Sequence, residues 1–210
     1  MSWQPVSSCG PRCRPGGDEA VSGVATVLRL GAAAAVLIGG LVLVPLLRGR
    51  AIRTVARGLL AALGVRLVWR GRTPHTGSLL VANHVSWLDV LALLAVAPVT
   101  LVAKREVRGW PLVGAMARAA GAIFVDRDRP RRLPETVAEV AAALRAGRSV
   151  AAFPEGTTFS VRRVAALRGL TVTLVGSPAL RPEPGADRRF LARAAQVSAG
   201  IRATTFDLAA

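Results

Sequence analysis

Residues 30–47 run 18 positions without a charged side chain, with Arg29 at one end and Arg48, Arg50, Arg53 and Arg57 at the other. A helix of that length enters or nearly spans a bilayer. No small-residue cleavage pattern follows, so the spacing predicts an uncleaved anchor, with a buried Ala/Gly-rich core helix as the competing reading. Over residues 50–63 the pattern takes a helical period: Ile52, Val55, Leu59 and Leu63 gather on one side of the wheel and Arg50, Arg53 and Arg57 opposite. That pattern suits a helix in a membrane interface, or one lying on the surface of the following domain.

Beyond residue 64 the chain alternates between strand and helix patterns. Residues 65–69, 78–82, 100–103, 122–125 and 149–153 read as strands, several of them apolar throughout, as expected where helices cover both faces of a sheet. Residues 134–147 read as a helix that opens at Pro134 with Glu135 in the first turn. It carries Val137, Val140, Ala141 and Leu144 on one face, with Arg145 late and Gly147 as the stop. A strand-like stretch follows at 170–175. The alternation predicts a single α/β domain, without internal repeats, in which helices flank a mixed central sheet. Residues 1–20, rich in Pro, Gly and Ser and lacking apolar periodicity, read as a disordered tail. The expected organisation is therefore this tail, a membrane anchor over 21–47 and the domain over 48–205.

Composition sharpens the membrane reading. The chain is 52% hydrophobic, with a mean hydropathy of +0.44, above the average for soluble domains. About 160 residues after the apolar segment suffice for one domain with a real core. The net charge of +16 suits either nucleic acid or an anionic bilayer, but there is no Tyr and only 4% aromatic residues to stack on bases. We therefore expect membrane lipid as a partner and no nucleic acid. The denser arginine cluster on the C-terminal side of the apolar segment places the domain in the cytoplasm, at the cell membrane. Cys9 and Cys13, framing Gly-Pro-Arg, cannot complete a zinc site and read as free thiols in a reducing compartment. No metal and no cysteine nucleophile is expected.

The chemistry concentrates in Asn83-His-Val-Ser-Trp-Leu-Asp89. His84 is one of two histidines in the chain, which leaves few other bases able to titrate near neutral pH. The apolar run at 78–82 reads as a buried strand and Ser86 as a helix start, so His84 falls in the connecting turn, where active residues often sit. A carboxylate at one imidazole nitrogen fixes the tautomer and stabilises the imidazolium, leaving the other nitrogen to take a proton from a hydroxyl. The same residues also fit a capping box, with Ser86 as N-cap and Asp89 at the third helical position. Spacing alone leaves both readings open.

Two further blocks follow in order, Gly121-Ala-Ile-Phe-Val-Asp-Arg127 and Phe153-Pro-Glu-Gly-Thr157. With the His-x4-Asp heptad they resemble the lysophospholipid acyltransferase family, which includes the 1-acylglycerol-3-phosphate acyltransferases. Lys104-Arg-Glu106 and Trp110-Pro-Leu-Val-Gly114 add to the resemblance, which covers roughly residues 65–160. It implies an O-acyltransferase in which His84 is the base and Asp89 its orienting partner, with no acyl-enzyme intermediate. Arg127 is implied as a phosphate clamp, and Glu155, Gly156 and Thr157 as part of the substrate-binding turn. The implied acceptor is a lysophospholipid, most simply 1-acylglycerol 3-phosphate. Acyl-CoA or acyl carrier protein serves as co-substrate, with no other cofactor. From its neighbours alone Arg127 reads as a solvated loop charge beside Asp126, Asp128 and Arg129, and 153–157 as a plain strand-ending turn.

Two departures from the family pattern stand out. Thr158 occupies the position where an arginine commonly follows Glu-Gly-Thr, which removes a phosphate contact and shifts the choice of acceptor. The Val-Pro-Val/Ile-type strand that the family carries after the third block is not found. The expectation is a domain incomplete between 160 and 170, with an opened sheet edge and a weakened acceptor pocket, and the competing reading is a catalytically impaired membrane-surface relative that retains the fold.

Overall fold

The computed structural model describes residues 22–47, 49–72, 74–84, 86–153, 170–181, 183, 185–201 and 205–208. The chain begins with an antiparallel hairpin of α1 (Gly23–Leu47) and α2 (Gly49–Ala62). The helices approach through glycines. A Cβ on Gly40 would stand 3.0 Å from a methyl of Val55, and one on Gly58 would stand 3.2 Å from a methyl of Val36. Small residues at such crossings let two backbones come close. At its far end α2 closes on Gly64 at φ +70°. The Val65 N–H donates to Leu60 O at 2.8 Å and the Gly64 N–H to Ala61 O at 2.9 Å, the bond pattern of a Schellman stop. The Arg29 guanidinium lies over Gly64, a cation at the negative end of the helix.

The periodicity of 50–63 left two places for its apolar face, and the structure selects the protein. Val55, Leu59, Leu60 and Leu63 are buried, packed among α1 and the helix α3 (Trp87–Val96). A helical period shows that a face is apolar, not what covers it. Arg57, expected on the outward polar side, donates its Nε–H to Ala95 O at 3.0 Å and so caps the last turn of α3. The lipid-compatible surface belongs to α1, where Val24, Val27, Leu28, Ile38, Val42 and Leu46 are exposed. α1 is long and apolar enough to cross a membrane.

The α/β architecture stands, with the strands divided into two sheets. β2 (Leu79–Val81), β5 (Ser149–Ala152), β3 (Val99–Lys104) and β4 (Ile123–Val125) form a four-stranded sheet in that order, every pair parallel. β1 (Arg66–Gly71) pairs in parallel with β6 (Leu170–Gly176), and β7 (Thr205–Leu208) adds antiparallel to β6. The mixed character expected of one central sheet thus resides in the smaller one. α3 lies between the two. Leu88, Ala92 and Ala95 join the core shared by the hairpin, β1 and β6, while Leu93 packs with Ala97, Val99 and Ala151 on the larger sheet. A helix buried on both sides has no polar stripe, which is why α3 reads as apolar all round.

The outer face of the larger sheet is covered by α5 (Leu133–Arg145) through Ala143, Val140 and Leu144 against Ile123 and Val150. α5 ends as its sequence predicts, with Gly147 at φ +73°. Between β3 and β4 come a 3₁₀ turn at Arg105–Gly109 and the short helix α4 (Val113–Ala119). The last helix, α6, spans Arg188–Ile201. The expected tail with Cys9 and Cys13, the turn Glu155-Gly-Thr157 and the expected gap after residue 160 lie outside the described residues.

Candidate active site

Parallel strands point their carboxyl ends the same way, and ligands of open parallel sheets gather there. Here β2 leads to His84, β3 ends at Lys104 and β4 leads to Asp126 and Arg127. β5 leads to Phe153 and onward in sequence to Glu155, Gly156 and Thr157. With the order β2-β5-β3-β4, β5 is the strand next to β2, and Phe153 at its end stands beside the histidine. β4 stands three strand spacings from β2, roughly 14 Å. Arg127 is exposed at that far end. The structure therefore brings His84 and Asp89 together and sets Arg127 apart from them along the sheet edge.

The dyad is built by the helix start. Ser86 adopts an extended N-cap conformation, φ −149° and ψ 154°, and its Oγ accepts from the Leu88 N–H at 3.2 Å. The Ser86 N–H in turn donates to Asp89 Oδ2 at 2.7 Å, completing the capping box. The same oxygen lies 3.3 Å from His84 Nδ1. One carboxylate therefore completes the capping box and also stands within reach of the imidazole. Asp89 is 1% exposed and the His84 side chain 11%. A carboxylate this deep is tolerable because it accepts charge-assisted bonds and sits in the first turn of a helix.

With Nδ1 turned to Asp89, Nε2 is the imidazole nitrogen on the side away from the carboxylate. The Phe153 ring lies 4.7 Å from the imidazole, centroid to centroid, at an interplanar angle of 35°. It confines the histidine from the strand next door. Its place in the third block assigns Phe153 no role, because only the pairing of β2 with β5 brings it to the histidine. The bond of Arg57 to Ala95 joins residues 38 apart through the packing of α2 on α3, which helical periodicity does not reveal.

At the β3–β4 side a second set of charges assembles. Arg105 Nη1 donates to Asp126 Oδ2 at 2.5 Å, and Arg129 Nε approaches the same oxygen at 4.0 Å. The Arg105 hydrogen bond holds the Asp126 carboxyl below the usual carboxylate range; partial burial opposes this, and the Arg105 charge adds to it. These groups line an open depression of about 500 Å³ with Glu106, Gly109 and Asp128. Among the described residues no group of three or more His, Cys, Asp or Glu is placed to hold a metal.

The acyltransferase family matches residues 67–175. Over 115 residues the chain is 42% identical to the 1-acyl-sn-glycerol-3-phosphate acyltransferase of Neisseria meningitidis serogroup B, covering 54% of this chain and 45% of that protein. It is 43% identical over 114 residues to the lyso-ornithine lipid O-acyltransferase of Pseudomonas aeruginosa, covering 53% and 43%. The chain thus spans a little under half the length of these curated relatives. The crystal structure of the 1-acyl-sn-glycerophosphate acyltransferase from Thermotoga maritima has the same fold, with a TM-score of 0.51 at 20% identity over 71% of each chain.

Proposed function

Because the chain belongs to the acyltransferase family that includes the lysophospholipid acyltransferases, we propose that it moves a fatty acyl group from a thioester donor to the free hydroxyl of a lysolipid. The observation that supports this best is the buried His84–Asp89 pair, 3.3 Å apart in a turn at a carboxyl strand end. In this reading His84 Nε2 takes the hydroxyl proton as the acceptor oxygen attacks the thioester carbonyl. Asp89 stabilises the imidazolium that forms. The tetrahedral intermediate collapses by breaking the carbon–sulfur bond, and the departing thiolate takes the proton back from His84. General-base assistance of this kind contributes about 10²–10⁴-fold, with positioning supplying much of the rest.

Donor and acceptor follow from the same reading. Acyl-CoA or acyl carrier protein supplies the thioester, with no further cofactor. For a phosphate-bearing acceptor, Glu155, Gly156 and Thr157, which follow β5 in sequence, are the binding candidates. Arg127, three strands out, clamps a phosphate only if the acceptor lies along the sheet edge. The reaction belongs to membrane lipid synthesis, with α1 in the membrane and the domain on its cytoplasmic side.

A second reading of the acceptor has its own support. Thr158 stands where an arginine commonly follows, and an ornithine lipid carries no phosphate to be held there. The identity to the lyso-ornithine enzyme of P. aeruginosa equals that to the lysophosphatidate enzyme within a percentage point. Labelled acyl-CoA and acyl carrier protein offered with 1-acylglycerol 3-phosphate and with lyso-ornithine lipid test both readings. Transfer to the first alone supports the phosphate reading, transfer to the second alone supports the other, and transfer to no lysolipid overturns the proposal.

A further inference from the structure

Outside α1, the densest run of exposed apolar side chains among the described residues is the tip between the 3₁₀ turn and α4. Trp110 is 54% exposed, Leu112 42% and Val113 44%, with Pro111 also exposed. This tip is not a loose loop. Leu112 adopts φ 58° and ψ −62°, and the Val113 N–H donates to Pro111 O at 2.6 Å, a γ-turn of the rare positive-φ kind. Gly114 is buried directly beneath, and a Cβ there would stand 2.5 Å from Val107 O and 2.6 Å from Arg108 O. Close packing below therefore holds three apolar side chains outward in a conformation that a leucine adopts only at a cost.

What lies beside this tip indicates its partner. α4 packs on α1, and Met116 Cε sits 3.1 Å from where a Cβ on Gly40 would stand, so the tip is one helical turn from the apolar hairpin. Lys104, Arg105, Arg108 and Arg118, all exposed, flank it in sequence, with Glu106 among them and Arg105 paired to Asp126. A Trp-Pro-Leu-Val tip flanked by mostly basic residues and packed next to an apolar helix has the chemistry of a membrane interface rather than of a polar protein surface. We infer that residues 110–113 dip into the acyl boundary of an anionic bilayer as a second contact besides α1. The tip follows β3, at the same carboxyl edge as His84. The contact therefore holds the catalytic edge of the sheet at the lipid surface. The inference shares with the proposed function the membrane placement of α1, but does not depend on the reaction.

The test uses the full chain with Cys9→Ser and Cys13→Ser, reconstituted with vesicles of phosphatidylcholine and phosphatidylglycerol. Leu112→Cys carries an environment-sensitive fluorophore, Ile38→Cys serves as the α1 reference and Glu139→Cys as the reference on α5. Val113→Cys is a second probe of the tip should the first label perturb the turn, with each variant's melting temperature recorded. Vesicle binding should blue-shift the fluorophore at 112 and at 38, spin-labelled acyl chains at shallow depth should quench both, and 139 should stay unchanged. Quenching at 38 with none at 112 or 113 overturns the inference. So does shielding of 112 in detergent that rises with protein concentration, since a second copy of the chain would then be the occupant. Turnover is measured on the same samples, so loss of transfer with quenching intact counts against the reaction and not against the contact.

Discussion

Asp89 Oδ2 serves two donors, the Ser86 N–H that starts α3 and the His84 imidazole, and substitutions can separate the two roles. His84→Ala should lower turnover by about 10²-fold or more with little change in melting temperature, because the ring leaves a turn rather than the core; His75→Ala should leave turnover near wild type. Asp89→Asn keeps an oxygen for the Ser86 N–H but no charge for the imidazolium, so turnover should fall far more than stability does. Asp89→Ala should lose both, with a cap loss of about 1 kcal/mol and a lower melting temperature. If Asn and Ala proved equally destabilising, the capping role would be misassigned. This site was legible in the sequence because its parts lie five positions apart. Phe153, 69 positions from His84, became a neighbour only when β2 and β5 paired.

At the scale of elements, helix and strand type followed from periodicity, while their partners did not. The apolar face of α2 fits lipid and protein equally well until α1 and α3 are seen to cover it. Deleting residues 1–47 should therefore uncover Val55 and Leu59 and give an aggregating, destabilised domain instead of a soluble one. A monodisperse truncation with the melting temperature of the full chain would show that α1 does not complete the core. Arg57→Ala should lower the melting temperature by removing the bond to Ala95, whereas Arg50→Ala, at an exposed position, should not. The Arg105–Asp126 pair predicts a pH effect with a definite sign. Its carboxyl is depressed in the folded state, so its stabilisation is complete above the unfolded carboxylate pKa and is lost as pH falls through the lower, folded value. Asp126→Asn should therefore destabilise at neutral pH and reduce the acid-side fall in melting temperature, more so at low salt.

On the scale of the whole molecule, the class of fold was readable from alternating patterns. The strand order was not, because nothing local specifies which strands pair. The position of Arg127, far along the sheet edge from His84, depends on that order. Thr158→Arg should lower the KM for 1-acylglycerol 3-phosphate with little change in kcat, the signature of uniform binding. An unchanged KM would place the headgroup elsewhere. The four-stranded sheet has one further consequence. Its strands all point the same way, so what differs after one strand need not disturb the hydrogen bonds that hold another. Segments similar to this one occur in relatives named for two chemically distinct acceptors. A parallel sheet of this kind permits that divergence: the scaffold can be inherited intact while the connecting loops change, each varying independently of its neighbours.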